Sequence, residues 1–163
     1  DSANQFYDSK FDIAKLSNIK NDAIKSILSA KLLEAQNRGI SISVEIEEPV
    51  SNFRIELLDF ITVLSVLCDN AIEATIEAIS PRMTVAFMNN DDSLVLIVEN
   101  SIKSEKVDVN HIFDRGYSSK GEGRGLGLHN VNSVLEKYPK STITTRSANH
   151  LFSQTIKFCK VSL

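Results

Sequence analysis

At 163 residues with 42% hydrophobic content, the chain is long enough for one domain with a sizeable core. A net charge of −3 argues against nucleic acid or an anionic membrane as a general partner, and no run of about 20 apolar residues is present to span a bilayer. The two cysteines, Cys68 and Cys159, lie far apart and read as reduced, packed thiols of an intracellular protein. The chain begins at Asp1 rather than Met, which implies a fragment of something longer whose missing part has room for membrane spans.

Residues up to Arg38 read as a long helix without proline or glycine, stopped by Gly39. Ile19, Ala23, Ile27 and Ala30 form one apolar line, and Ile24, Leu28 and Leu32 a second. Two lines suit a helix in a bundle; the alternative is that both cover the domain's own sheet. Ile40, Ile42, Val44 and Ile46 then alternate with polar residues as a half-buried strand, ended by Pro49. Arg54 to about Ile79 reads as one helix, with Leu58, Ile61, Leu64, Leu67, Cys68, Ala71 and Ile72 as its core face. Met83 to Met88 and Leu94 to Val98 are predicted strands joined by the turn NNDD, the second apolar enough to be central. Ser101 to Lys120 is polar and irregular, with the length of a mobile lid and a glycine, Gly116, within it. Leu128, Val131, Leu135 and Tyr138 mark another helix, terminated by Pro139. Ser141 to Arg146 and Phe152 to Phe158 are closing strands. The expected architecture is α/β: an antiparallel sheet with helices on one face, a two-layer α/β sandwich.

Chemistry concentrates in two places. In Ser118 to Leu128, SSKGEGRGLGL, Gly121, Gly123, Gly125 and Gly127 alternate ahead of an amphipathic helix. Such a run lets an anion approach the backbone, and the helix start offers unpaired N–H groups and a positive dipole end. Lys120 and Arg124 add positive charge there. A P-loop would need Lys after its second glycine, where Glu122 stands, and a Rossmann turn would need a strand in place of the polar DRGYSSK. A flexible surface loop is the competing reading. The second place is Leu67 to Ala74, LCDNAIEA, on the apolar helix. Asp59, Thr62, Asp69, Asn70, Glu73 and Glu77 form a polar stripe, with Asn70 and Glu73 neighbours on it. A carboxamide oxygen is a suitable hard ligand for Mg²⁺; a solvated helix face is the alternative.

Together the two segments resemble the Bergerat-type ATP-binding domain shared by sensor histidine kinases, gyrase B, heat-shock chaperones and MutL. LCDNAIEA is similar to that family's N box and GEGRGLGL to its second glycine box. The wording DNAIEA, VENS and GRGLGLHNV is most similar to peptide quorum-sensing receptor kinases of the AgrC type. The resemblance covers roughly Gly39 to the C-terminus, implying residues 39–163 as the catalytic ATP-binding domain. Residues 1–38 resemble the last helix of the dimerisation domain. By resemblance, Asn70 holds Mg²⁺ against the ATP phosphates and Glu73 contacts nucleotide. Gly123, Gly125, Leu126 and Gly127 shape the phosphate side, and Arg115, Lys120 and Arg124 supply cations, with Asn70, Lys120 and Arg124 as the catalytic set; for Arg115 and Lys120 the alternative is ordinary loop solubility. Phe113 resembles the F-box phenylalanine, or is an ordinary core aromatic.

Two departures stand out. Where the family often carries a D-x-G-x-G box, this chain reads Val98-Glu99-Asn100-Ser101, leaving Asn100 as the adenine contact. Hydrolysing relatives place a Glu four residues before the N-box Asn; here it is Val66, which favours phosphoryl transfer over fast hydrolysis. None of His111, His129 and His150 has the context of a phosphoacceptor, and none lies on the N-terminal helix. The resemblance therefore implies the ATP-binding half of a two-component kinase. Its partners would be the dimerisation domain of the same kinase, as a homodimer, and a response regulator. An ATPase on the same fold and a non-catalytic docking module are the alternatives.

Overall fold

The computed structural model describes residues 14–111 and 126–159. A 3-10 turn at Leu16–Asn18 leads into helix α1 (Asp22–Asn37), strand β1 (Ser41–Ile46), helix α2 (Leu57–Thr75), and strands β2 (Arg82–Asn89) and β3 (Ser93–Ser101). A 3-10 turn at Val109–His111, helix α3 (Leu126–Leu135), and strands β4 (Thr142–Ala148) and β5 (Leu151–Cys159) complete them. The strands form one sheet in the order β1-β2-β3-β5-β4. β3 is central, as its apolar run predicts.

The sheet is mixed rather than antiparallel. β1 runs parallel to β2, with Val44 opposite Val85 and Ile46 opposite Phe87, while the other pairings are antiparallel. Helix α2 is the connection between β1 and β2, and a helical crossover is what parallel neighbours require. Along β3, Leu94, Leu96 and Val98 are buried while Val95, Ile97 and Glu99 are half-buried. That period of two leaves one face for the helices.

The expected long N-terminal helix is interrupted. Ile19 forms a parallel bridge with Val50, Lys20 N–H donates to the Val50 carbonyl at 2.8 Å, and Asn18 Nδ2 donates to the Ile46 carbonyl at 2.6 Å. Helix α1 starts after this stitch, where the Asn21 side chain accepts from Ile24 N–H at 3.0 Å as an N-cap. It ends at Gly39, whose φ of +82° is the left-handed conformation glycine adopts without strain. Only one of its two apolar lines is covered: Ile24, Leu28, Leu32 and Ala35 are buried in the common core. Ala23 and Ala30 are exposed and Ile27 is half-buried.

Helix α2 is shorter than Arg54 to Ile79, and its buried face is rotated at the start. Leu58 is 77% exposed, whereas Phe60 and Val63 are fully buried. Phe60 anchors an aromatic cluster with ring centroids 4.9 Å from Phe53, 5.0 Å from Phe158 and 6.3 Å from Phe87. At the other end, Thr75 Oγ1 meets Ser101 Oγ at 2.7 Å and accepts from Arg82 N–H at 3.0 Å. This buried network ties the C-terminus of α2 to the ends of β2 and β3. Cys68 is fully buried, which pushes its thiol up to about 12, so it stays protonated and inert.

Helices α2 and α3 are clamped at one end by Tyr138. Its hydroxyl donates to Asp59 and accepts from Glu56 N–H at 3.3 Å, while Lys137 Nζ lies 3.3 Å from Asp59. Burial, followed by the bond to Asp59, raises the phenol above its ordinary value of 10.0. A raised folded-state value means the neutral phenol stabilises the fold. That contribution is complete below the unfolded value and is lost as pH rises through the folded one. Tyr138→Phe is expected to cost about 1–3 kcal/mol near neutrality. Denaturant titrations at pH 7 and pH 11 check this: the wild-type advantage should shrink at the higher pH, and equal stability at pH 7 would remove the clamp's role.

Candidate functional site

Asn70 lies in the second half of α2 and is half-buried. Facing it is the start of α3. A Cβ added to Gly127, the second residue of α3, would lie 3.1 Å from Val66 Cγ1 and 3.9 Å from Asn70 Oδ1. The glycine box and the N box, far apart in sequence, therefore meet in space. Val66, one turn before Asn70, is the surface against which the glycine packs. The positive end of α3 is thus held next to a carboxamide oxygen, an arrangement that attracts an anion and supplies a hard donor for a cation bound to it.

Glu73 is exposed on α2, three residues beyond Asn70. Asn100 is 2% exposed on β3 and shares the helix-facing side with Leu96 and Val98. Its amide donates to the Ser101 carbonyl at 3.0 Å, one residue from the Thr75–Ser101 tether. Leu126 opens α3. Phe113, Arg115, Lys120, Gly123, Arg124 and Gly125 lie outside the described residues.

The histidines with described side chains have structural settings. His129 is half-buried on α3. His150 has φ +61° in the β4–β5 turn, and its Nδ1 lies 3.1 Å from the Lys103 carbonyl. Among the described residues, no group of three or more His, Cys, Asp or Glu side chains is arranged to hold a metal. A metal here would need oxygens from its ligand and water besides Asn70, as Mg²⁺ accepts.

One contact was invisible in the sequence. Lys31 Nζ on α1 lies 2.6 Å from Oδ1 of Asp69, the residue immediately before Asn70. That bond raises the lysine above its ordinary value against the opposing effect of partial burial. Asp69 is visible as a member of the polar stripe, but its partner is 38 positions away and carries no local signal.

The structure is thus a two-layer sandwich in which an asparagine on the central helix faces the glycine-bearing first turn of α3. The GHKL domain matches residues 55–159, and the chain belongs to that family. It is 31% identical to the sensor histidine kinase DcuS of Escherichia coli K12 over 144 residues, covering 85% of this chain and 26% of that protein. It is 29% identical to the sensor protein CitS of Bacillus subtilis over 125 residues, covering 74% of this chain and 23% of that protein. The chain thus spans about a quarter of these relatives. The catalytic domain of histidine kinase ThkA has the same fold, with a TM-score of 0.72 at 19% identity over 86% of this chain and 92% of that one. Full-length ShkA in complex with AMPPNP gives 0.66 at 14% identity, over 86% of this chain and 30% of that one.

Proposed function

We propose that this chain is the ATP-binding catalytic region of a two-component sensor histidine kinase. The reaction is transfer of the ATP γ-phosphoryl group to a histidine on the dimerisation domain, from which an aspartate of a response regulator receives it. The observation that carries this reading is the close approach of Gly127 to Val66 and Asn70, which sets a helix N-terminus beside a carboxamide oxygen. The sequence relatives named as sensor kinases support it.

In this reading Asn70 Oδ1 would hold Mg²⁺, which would neutralise charge on the phosphates. The N–H groups at the start of α3, with Gly123, Gly125, Leu126 and Gly127, cradle the phosphate oxygens, and Glu73 contacts the nucleotide from α2. Arg115, Lys120 and Arg124 balance the remaining charge. Asn100 reads adenine through its carboxamide in place of the family's aspartate. With Val66 where hydrolysing relatives have Glu, no carboxylate at that position activates water, so the phosphoryl group is kept for histidine.

We place the segment from Leu16 onward within the ATP-binding domain, because α1 buries Ile24, Leu28, Leu32 and Ala35 in its core. The end of the dimerisation domain, expected to reach Arg38, then lies in the residues before it. The motif wording supports an AgrC-type parent working in peptide quorum sensing. Such a parent is a membrane protein of which this chain is a cytoplasmic part. Among the described residues, no helix is long and apolar enough to cross a membrane.

The chain alone is expected to bind Mg-ATP but not to phosphorylate itself. His129 sits half-buried within a helix and His150 in a turn with its ring at the Lys103 carbonyl, both poor nucleophile settings. The test is radiolabelled ATP with this chain alone, then with a longer parent kinase whose own Asn70 is replaced. Acid-labile phosphate on the longer partner alone supports the reading. Strong phosphohistidine on this chain alone refutes it, and absence of ATP binding removes the kinase assignment in favour of a docking module.

A further inference from the structure

We propose that Lys31 is a positioning residue for nucleotide binding, acting through Asp69 to neutralise and hold aside a carboxylate at the edge of the phosphate site. The proposal rests on the reading of Asn70 as the phosphate-side residue. Asp69 and Asn70 are consecutive on α2, so their side chains leave the helix about 100° apart and only a few ångströms from one another. Asn70 turns toward Gly127 and α3, whereas Asp69 turns toward α1, where Lys31 Nζ meets its Oδ1 at 2.6 Å.

The charges explain why that bond matters more for ligand binding than for folding. The side chains of Lys31 and Asp69 are 24% and 47% exposed, and ion pairs of that exposure contribute little to stability. A triphosphate beside Asn70 carries several negative charges, and each interacts with an uncompensated Asp69 carboxylate. The repulsion therefore multiplies with ligand charge, while the paired Asp69 presents almost none. The neighbouring pair on α1, Arg38 Nη2 with Glu34 Oε1 at 3.5 Å, satisfies Glu34 locally, and Cys68 is a neutral thiol. Among the described residues, Lys31 is the cation that the structure pairs with Asp69.

The experiment titrates ATP, with and without Mg²⁺, into wild type, Lys31→Met, Asp69→Asn and the double variant. Methionine keeps the aliphatic stem and removes only the charge. Lys31→Met should weaken free ATP by about 3–10-fold, and Mg-ATP less, because Mg²⁺ cancels two of the ligand's charges. Raising the salt to about 0.5 M should erase most of the difference. Asp69→Asn should bind at least as tightly as wild type, and the double variant should return to within about two-fold of it. A merely structural ion pair would change melting temperature without this dependence on ligand charge and salt. Wild-type affinity in Lys31→Met, or no recovery in the double variant, overturns the proposal while leaving the kinase reading intact. Weaker binding by Asp69→Asn overturns it too and makes Asp69 a direct contributor, a result available even if Lys31→Met fails to fold. If the wild-type chain binds no ATP in either condition, both readings fall.

Discussion

Asn70→Ala should abolish Mg-ATP binding while leaving the fold intact. Asn70 is half-buried in the second half of a 19-residue helix, so alanine there creates no large cavity. It also raises helix propensity by up to about 0.7 kcal/mol. The loss falls on the ligand instead. Side chains that merely orient a metal's ligands cost about 10–100-fold in affinity when removed, and a direct oxygen donor should cost at least that much. A 100-fold loss is about 2.7 kcal/mol, far larger than the expected change in stability. Calorimetric titration with a non-hydrolysable ATP analogue, paired with a thermal melt, separates the two. A folded Asn70→Ala protein that binds nucleotide like wild type would remove Asn70 from the site.

The second large effect is expected at Gly127. The missing Cβ would stand 3.1 Å from Val66 Cγ1, closer than ordinary van der Waals contact. Val66 is β-branched on a helix and has one favoured rotamer, so it cannot swing aside cheaply. Gly127→Val must then push the start of α3 away from α2, at about 1–3 kcal/mol, offset in part by the better helix propensity of a non-glycine residue. Because the proposed site sets the N–H groups of that displaced end against phosphate, ATP affinity should fall by about ten-fold or more, equivalent to roughly 1.4 kcal/mol. The smaller Gly127→Ala should weaken binding less, and Val66→Ala in the same chain should restore much of it by vacating the contact. Equal ATP affinity in wild type and Gly127→Val would show that the close packing does not position the phosphate side.

Much of the fold is legible in the sequence because periodicity is a local property. The apolar, central character of β3 and the Gly39 stop are readable from neighbouring residues, and so is the apolar face of α2 beyond Ile61. The errors lie where a distant partner overrides a local pattern. Leu58 fits the helical stripe, but the core beneath that turn is filled by Phe60 against Phe53 and Phe158, so Leu58 faces water. The N-terminal segment has nothing in it that breaks a helix. Its interruption comes from backbone bonds to Val50 and from the Asn18 side chain on Ile46.

By itself, then, the sequence determined the residue types at the candidate site: a carboxamide on a polar stripe, a glycine run ahead of a helix, and an asparagine just past an apolar strand. Those are chemical identities carried by single positions and short spacings, which survive without knowledge of the fold. Tertiary structure decided which of them meet. It brought Gly127 onto Val66 and Asn70, turned Asp69 away from them toward Lys31, and ran β1 parallel to β2. It also tied α3 to α2 through Tyr138 and Asp59. Each is a contact between residues far apart in the chain. Its free energy depends on the packing of the whole core, and no short window of sequence contains both partners.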